Sequence, residues 1–553
     1  MKAIVAVLGA GLLLLSGRAW ALPPMTETPA ACEAMSGRRI PEGAIGLPTR
    51  GATITGAASV TPKTGDAYCL VSGSIRPIDG AAPDIRFQVA LPGRWNGKVV
   101  MFGGGGFNGV IPDVAGAPLN TPPQTPTPLA QGYVVFASDS GHQSKLGGAD
   151  GSFMLNDEAY RNWLGDALKK THDAALFVVA TSYARQPTRS YFLGSSTGGR
   201  EALRVAALWP QDWSGVVALY PARDTTALAL KLVSDTQGFA APGAYLSTAQ
   251  RGLLHRAALE ACDALDGAAD GLISNLRGCY AVFDPATAKV DGRPLRCADG
   301  DAVADCLSER QLAALRNMES PLRLGFPLAS GETSVPGYNV FTADTGIPSA
   351  NPTQPFVSLL ALGNAPPSFP ATNGMALSAG FADNFVRFLV ARDLGLNPLT
   401  FDIADPGPFK RRLSELSALD GADKDLSVFA DRGGKVLILQ GLDDLLISPR
   451  ATEAYYAGLR SRMGAERVRR SIRFYEVPGF GHAVSTVFQA SWDQLGALEN
   501  WVERGRDPAE GQVVTDTAGV PGRTRPLCLY PRWPRYRGAG DPNSAAAFTC
   551  VAD

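Results

Sequence analysis

The stretch that most limits what this chain can become runs Arg189-Ser190-Tyr191-Phe192-Leu193-Gly194-Ser195-Ser196-Thr197-Gly198-Gly199-Arg200-Glu201-Ala202-Leu203. A short apolar run enters a G-x-S-x-G core, and apolar residues at helical spacing (Leu203, Val205, Ala206, Leu208) leave it. That order predicts a strand, a sharp turn and a helix, the context in which a serine can act as a nucleophile. Glycine is expected at 194 and 198 because the turn brings backbones too close for a Cβ. The elbow lifts the Ser196 hydroxyl clear of the sheet, and the helix N-terminus behind it favours negative charge. In a chain with 61 glycines the pattern alone is weak, and its flanks give it weight.

The surrounding chain supplies the sheet that such a turn needs. Residues 85–91 alternate as a strand, and residues 98–102 form another that runs into Gly103-Gly104-Gly105-Gly106-Phe107-Asn108-Gly109. Residues 133–137 read as a third strand, 163–181 as a helix, and 214–220 as the strand after the elbow. Strands alternating with helices predict an α/β fold with a parallel sheet covered on both faces. From about 222 to 422 the rhythm stops, and Pro/Gly/Ser loops, amphipathic helices and four cysteines take over. Strand rhythm returns at 434–441, so 222–422 is expected to be an insertion, a lid over the catalytic face. The catalytic domain is then discontinuous, 22–221 and 423–553.

Residues 1–21 have the form of a secretion signal: Lys2, an apolar core from Ala3 to Leu15, and Ala19-Trp20-Ala21 as a small-x-small cleavage site. That apolar core is too short to span a bilayer. A secreted or periplasmic protein follows, and export makes disulfides the default for its eight cysteines. Spacing favours the local pairs Cys262–Cys279, Cys297–Cys306 and Cys528–Cys550, which leaves Cys32–Cys69. A net charge of −1 gives no electrostatic case for nucleic acid or an anionic membrane as partner.

A nucleophilic serine needs a base and an acid. Of four histidines, His142 sits in a turn, while His172 and His255 lie in helical contexts. His482 follows the strand-like Phe474-Tyr475-Glu476-Val477 in a Gly-rich loop, last in a Ser…Asp…His order, where it could take the Ser196 proton and return it to a leaving alcohol. The acid is expected after the preceding strand, where Asp443 and Asp444 are adjacent and periodicity does not choose between them.

With these residues placed, the chain resembles the tannase and feruloyl esterase family. The likeness rests on the glycine run, Gly194-Ser195-Ser196-Thr197-Gly198-Gly199-Arg200-Glu201, the segment 441–449, Pro478-Gly479-Phe480-Gly481-His482, and the endings Arg525-Pro526-Leu527-Cys528 and Phe548-Thr549-Cys550. The resemblance implies an α/β-hydrolase fold with a large inserted lid domain, and an esterase whose acid is Asp444. It implies an oxyanion hole made by the backbone N–H of Thr197 with that of Gly104 or Gly105. It implies a small aromatic ester as substrate, its acyl part a ferulate, gallate or terephthalate. Cys262-Asp263-Ala264-Leu265-Asp266-Gly267-Ala268-Ala269-Asp270-Gly271-Leu272 matches the family's calcium loop. A structural Ca2+ would be held there by Asp263, Asp266 and Asp270 with the Ala268 and Leu272 carbonyls, a set that suits a hard cation. The family usually carries bonded cysteines where this chain has Ser195 and Ala483, so the Ser196–His482 geometry lacks that covalent tie. The stretch Phe381, Phe385, Arg387 and Phe388 offers rings for an aromatic acid and a cation for a carboxylate, or simply a lid core. Two other functions compete: an amidase or peptidase on the same three residues, and a calcium-stabilised binding protein without catalysis.

Overall fold

The computed structural model describes residues 32–63, 65–144, 147–298 and 304–552. The signal-like residues 1–21 lie outside them. A ten-stranded sheet forms the centre. Its strands are β1 (Arg39–Ile40), β2 (Ala52–Val60), β3 (Tyr68–Ile75), β4 (Ile85–Pro92), β5 (Lys98–Phe102), β6 (Val134–Ser138), β7 (Arg189–Ser195), β8 (Gly215–Leu219), β9 (Lys435–Gly441) and β10 (Ile472–Val477). They lie in the order β1-β2-β3-β4-β6-β5-β7-β8-β9-β10. The first four and β6 pair antiparallel, and every pair from β6 to β10 is parallel. This is the α/β-hydrolase arrangement.

The parallel strands read as continuous apolar runs because both faces are covered. Along β8 and β9, Val216, Ala218, Val436 and Ile438 join one core. It packs with helix α1 (Ala167–Tyr183) and helix α2 (Thr197–Leu208), which supply Val178 and Leu203. The alternate residues Val217, Leu219, Leu437 and Leu439 face the other core, with Leu498 and Trp501 of a C-terminal helix, Gln494–Arg504. Helix α2 forms because its Leu203, Val205 and Ala206 line one buried side, and it stops before Pro210, which cannot continue a helix.

Strands β8 and β9 are neighbours in register, Val216 opposite Val436, although more than two hundred residues of chain separate them. The intervening segment leaves the sheet and returns. It has a core of its own, built on Leu254, Leu312, Leu315 and Tyr338. A further cluster joins its Leu230, Val386 and Leu389 to Phe107, Met154 and Trp163 of the sheet's loops. All four cysteine pairs expected from spacing are bonded, Cys32–Cys69, Cys262–Cys279, Cys297–Cys306 and Cys528–Cys550. Among the described residues no helix is long and apolar enough to cross a membrane.

Truncation along α2 should separate its two sides. Leu203→Ala, at 0% exposure, should cost roughly 3–5 kcal/mol and lower the thermal midpoint clearly. Leu208→Ala, at 39% exposure, should leave it nearly unchanged. Thermal scans of the two variants check this.

Candidate active site

Between β7 and α2 the backbone turns at Ser196 with φ 58° and ψ −121°, a region L-residues rarely adopt. The turn is held from several directions. Ser196 N–H donates to Leu219 O at 2.9 Å, and Ser196 O accepts from Ala222 N–H and Arg200 N–H at 3.0 and 3.1 Å. A Cβ on Gly194 would stand 2.1 Å from Gly198 O, and one on Gly198 would stand 2.7 Å from Gly104 O. Neither position admits a larger residue without moving backbone.

The loop after β10 brings His482 to this serine. Its Nε2 lies 2.9 Å from Ser196 Oγ, and its Nδ1 lies 2.8 Å from Asp444 Oδ2. Asp444 is fully buried and its other oxygen accepts the N–H groups of Leu446 and Ile447 at 2.9 and 2.8 Å. Gln440 Nε2 donates to Oδ2 at 3.1 Å. The carboxylate is thus fixed before it meets the imidazole, and a carboxylate on Nδ1 leaves Nε2 to accept the serine proton. Asp443 turns elsewhere: it is half-buried and accepts the Asp344 N–H at 3.2 Å. Burial, helped by the Asp344 charge, pushes its carboxyl up to about 7. The adjacent aspartates therefore have separate surroundings, and only Asp444 reaches the ring.

The glycine run lies across the turn from Ser196. Gly104 N–H donates to Glu201 Oε2 at 3.0 Å, and Asn108 Nδ2 donates to Glu201 Oε1 at 2.7 Å. Burial raises the Glu201 carboxyl, and these donors oppose the rise. Among the described residues, the amides of Gly105 and Thr197 have no acceptor. Thr197 Oγ1 donates to Gly106 O at 2.6 Å, tying the start of α2 to the glycine run.

Two clefts meet at Ser196. The narrower is walled by Phe107, Trp163, Phe381, Phe385 and Leu389. The wider runs past the glycine run, Leu119, Leu360, His482 and Ala483. The inserted segment therefore supplies one wall of each. Residues Phe381, Phe385 and Leu389 present one face at helical spacing to the first cleft. Arg387 does not join them: it pairs with Asp383 at 2.9 Å and donates to Leu394 O. Arg200, also in the first cleft's wall, donates to Leu164 O and Trp163 O at 2.8 and 3.2 Å and stacks on the Trp163 ring. The pairing of Phe107 with Trp163 carried no signal in the sequence, because the glycine run and the helical segment Asn162–Asp166 lie far apart along the chain.

The other histidines are elsewhere. His142 stacks on Phe153 with centroids 3.7 Å apart, and burial lowers it to about 4. His172 faces Asp173, and His255 is buried beside Asp344. The Ala483 carbonyl accepts from Asn120 and Gln489.

In the acidic loop, Asp266 is buried and its Oδ2 has no donor. Burial pushes the Asp266 carboxyl up to about 6 and raises Asp263 as well. Asp263 Oδ1 accepts the N–H groups of Asp270 and Gly271 at 3.2 and 3.0 Å. Asp270 is engaged by Arg525. An all-oxygen set with an orphaned buried carboxylate oxygen fits a hard cation. Among the described residues, the group of three such side chains with ligand atoms all within 4.8 Å is His172, Asp173 and Asp212. Lys169 Nζ already bridges that group's two carboxylates at 2.8 and 2.9 Å.

Residues 69–551 match the family described as tannase and feruloyl esterase. An uncharacterized esterase of Agrobacterium fabrum is 39% identical, over 94% of this chain and 93% of its own. The mono(2-hydroxyethyl) terephthalate hydrolase of Piscinibacter sakaiensis is 32% identical, over 91% of this chain and 87% of its own. Among solved structures, feruloyl esterase B from Aspergillus oryzae superposes with a TM-score of 0.73 at 20% identity, covering 95% of this chain and 100% of that one. Tannin acyl hydrolase from Aspergillus niger gives 0.67 at 19% identity, covering 95% of each. At those identities the two structures speak to the fold.

The raised Asp443 carboxyl makes stability depend on pH with a definite sign. A free aspartate titrates near about 3.9, so the folded state holds a proton that the unfolded state has lost. The stability tied to that proton is present below about pH 4 and is lost as pH rises through about 7. Asp443→Asn should therefore melt a few degrees above the unsubstituted protein at pH 8, with the gap shrinking by pH 5. Thermal scans at the two pH values read it, and an equal gap at both would contradict it.

Proposed function

The chain belongs to the tannase and feruloyl esterase family and is a carboxylic-ester hydrolase, and we propose that it cleaves esters of aromatic acids through an acyl-enzyme on Ser196. The observation that carries this reading is the unbroken line from Ser196 Oγ through His482 to Asp444, with links of 2.9 and 2.8 Å. His482 Nε2 takes the hydroxyl proton as Ser196 Oγ attacks the ester carbonyl. The carbonyl oxygen becomes an oxyanion, for which the Thr197 and Gly105 amides are the unengaged donors, Gly104 being held by Glu201. Two such donors contribute on the order of a few kcal/mol each to lowering the barrier. The tetrahedral species collapses, the alkoxide takes the proton from His482, and the alcohol leaves. Water, deprotonated by the same imidazole, then releases the acid and returns the proton to Ser196.

In this reading the narrower cleft takes the acyl group. Phe107, Trp163, Phe381 and Phe385 can hold a flat ring beside Ser196. Both nearby arginines are already engaged, so a second carboxylate on the acyl group would be buried without a free cation. That favours a feruloyl- or galloyl-type acid over terephthalate. The wider cleft takes the alcohol, and residues 222–422 act as a lid that shapes both. The four disulfides suit export to the periplasm or beyond. A structural calcium, held by Asp263 and Asp266 side chains with the Ala268 and Leu272 carbonyls and helped by Asp270, would neutralise the loop's buried charge and take no part in the reaction.

Acid release from methyl ferulate, methyl gallate and mono(2-hydroxyethyl) terephthalate tests the assignment. One of the first two should be turned over about tenfold or more faster than the third. Ser196→Ala should abolish turnover, and Asp444→Asn should lower kcat by about 10^3 to 10^4. Asp443→Asn should stay within a few-fold. Turnover that survives Ser196→Ala would contradict the mechanism. Hydrolysis of a matched amide at a similar rate would favour an amidase instead. Separately, a chelator should lower the thermal midpoint by several degrees, with recovery on added Ca2+. No shift on chelation would count against a bound ion.

A further inference from the structure

We propose that Tyr220 and Asn120 form a hydrogen-bonded brace that holds the His482 loop against the Ser196 turn, which makes them positioning residues of the esterase site. The proposal rests on the reading of Ser196, His482 and Asp444 as the catalytic groups.

Tyr220 follows the last residue of β8 and is fully buried. Its ring meets the His482 imidazole edge to face, with centroids 4.9 Å apart and planes at 65°. The phenol O–H donates to Asn120 Oδ1 at 2.6 Å. Asn120 Nδ2 then donates to Ala483 O and to Ala490 O, each at 3.1 Å. The path runs from Tyr220, next to the Leu219 carbonyl that accepts the Ser196 N–H, to the residue after the base. Each group in it has a single role. The phenol has one proton and gives it to an amide oxygen, and the amide nitrogen has two and gives them to two carbonyls. Gln489 Nε2 adds a second donor to Ala483 O at 3.0 Å. The far end of Asn120 is also tied, since Trp492 N–H donates to its backbone carbonyl at 2.8 Å.

Backbone conformation points the same way. Asn120, Ser196, Tyr220 and Ala483 have φ of 57°, 58°, 34° and 64°, all in the left-handed region. That region is tolerable for asparagine and costly for tyrosine or alanine. Four such residues in one contact group persist only where the surroundings over-determine them, and such strain gathers at functional sites. A tyrosine that merely filled the core would need neither a buried hydroxyl bonded across two loops nor this backbone.

The test uses the full chain and three variants. Tyr220→Phe keeps the ring against His482 and removes the hydroxyl. Asn120→Asp tolerates the same backbone and keeps the acceptor for the phenol, but loses the two Nδ2 donors. Its added negative charge favours an imidazolium, so its rate is read across pH: a charge effect moves the profile to higher pH, whereas the missing donors lower the high-pH plateau. Each variant should lower kcat about tenfold with KM within about twofold, because a displaced imidazole weakens proton transfer rather than substrate binding. The rate at which a fluorophosphonate modifies Ser196 should fall in parallel. The double variant should lose about the same tenfold, since the brace acts as one unit. Unchanged kcat and labelling with only a lower thermal midpoint would overturn the proposal, as would a hundredfold loss in the double variant. Should Tyr220→Phe not fold, Asn120→Asp decides alone by the same two rates. Failure of the esterase reading shows separately, as unsubstituted protein that the fluorophosphonate does not label.

Discussion

The backbone at Ser196 is the constraint on which the rest of this structure turns. A non-glycine residue at φ 58°, ψ −121° costs on the order of 1–3 kcal/mol, and no local preference of the chain offsets it. The cost is met by its neighbours. Strand β8 supplies the Leu219 acceptor, the crossover after β8 supplies Ala222, and the two glycines let the start of α2 close on the sheet and on the glycine run. The packing of Leu203, Val205 and Ala206 beneath α2 anchors the far side of the turn. Strain in one residue thus fixes the relation among a strand, a helix and two loops. What the strain yields is a hydroxyl standing off the sheet, within 2.9 Å of an imidazole.

The insertion between β8 and β9 adds what the sheet alone does not have, a pair of clefts. Its Phe381, Phe385 and Leu389 pack in one cluster with Phe107 and Trp163, so the narrower cleft lies where the insertion meets the connections of the sheet. The wall of the narrower cleft is therefore a packing interface, while Ser196, Asp444 and His482 follow strands of the sheet. Arg200, in the narrow cleft's wall, holds the carbonyls of the Trp163 turn, and Arg387, outside that wall, closes its own helix end.

The parts of the fold that were legible in the sequence are those set by local patterns. The strand–turn–helix around Ser196 follows from glycine spacing and apolar periodicity, and the short cysteine pairs, 9, 17 and 22 residues apart, follow from proximity along the chain. The Phe381–Phe385–Leu389 face was legible as helical spacing, though whether it lined a cleft was not. Asp443 and Asp444 could not be told apart, because what separates them is the company each keeps after folding: Asp344 for one, His482 for the other. The Gly104–Gly105 choice likewise depends on Glu201, a partner 97 residues further along the chain from Gly104. Asn120 and Tyr220 gave no signal, since their contacts reach across 100 and 363 residues and no motif contains them.

The central claim is that one serine, at the elbow, is the nucleophile. Its most direct test is to treat the protein with a chromogenic phosphate triester and locate the adduct by mass spectrometry. Trypsin releases the elbow as residues 190–200, between Arg189 and Arg200, a peptide holding Ser190, Ser195 and Ser196. The account predicts a single phosphoryl group on that peptide, with fragmentation placing it on Ser196. An adduct on Ser195, on another peptide, or none at all would contradict it.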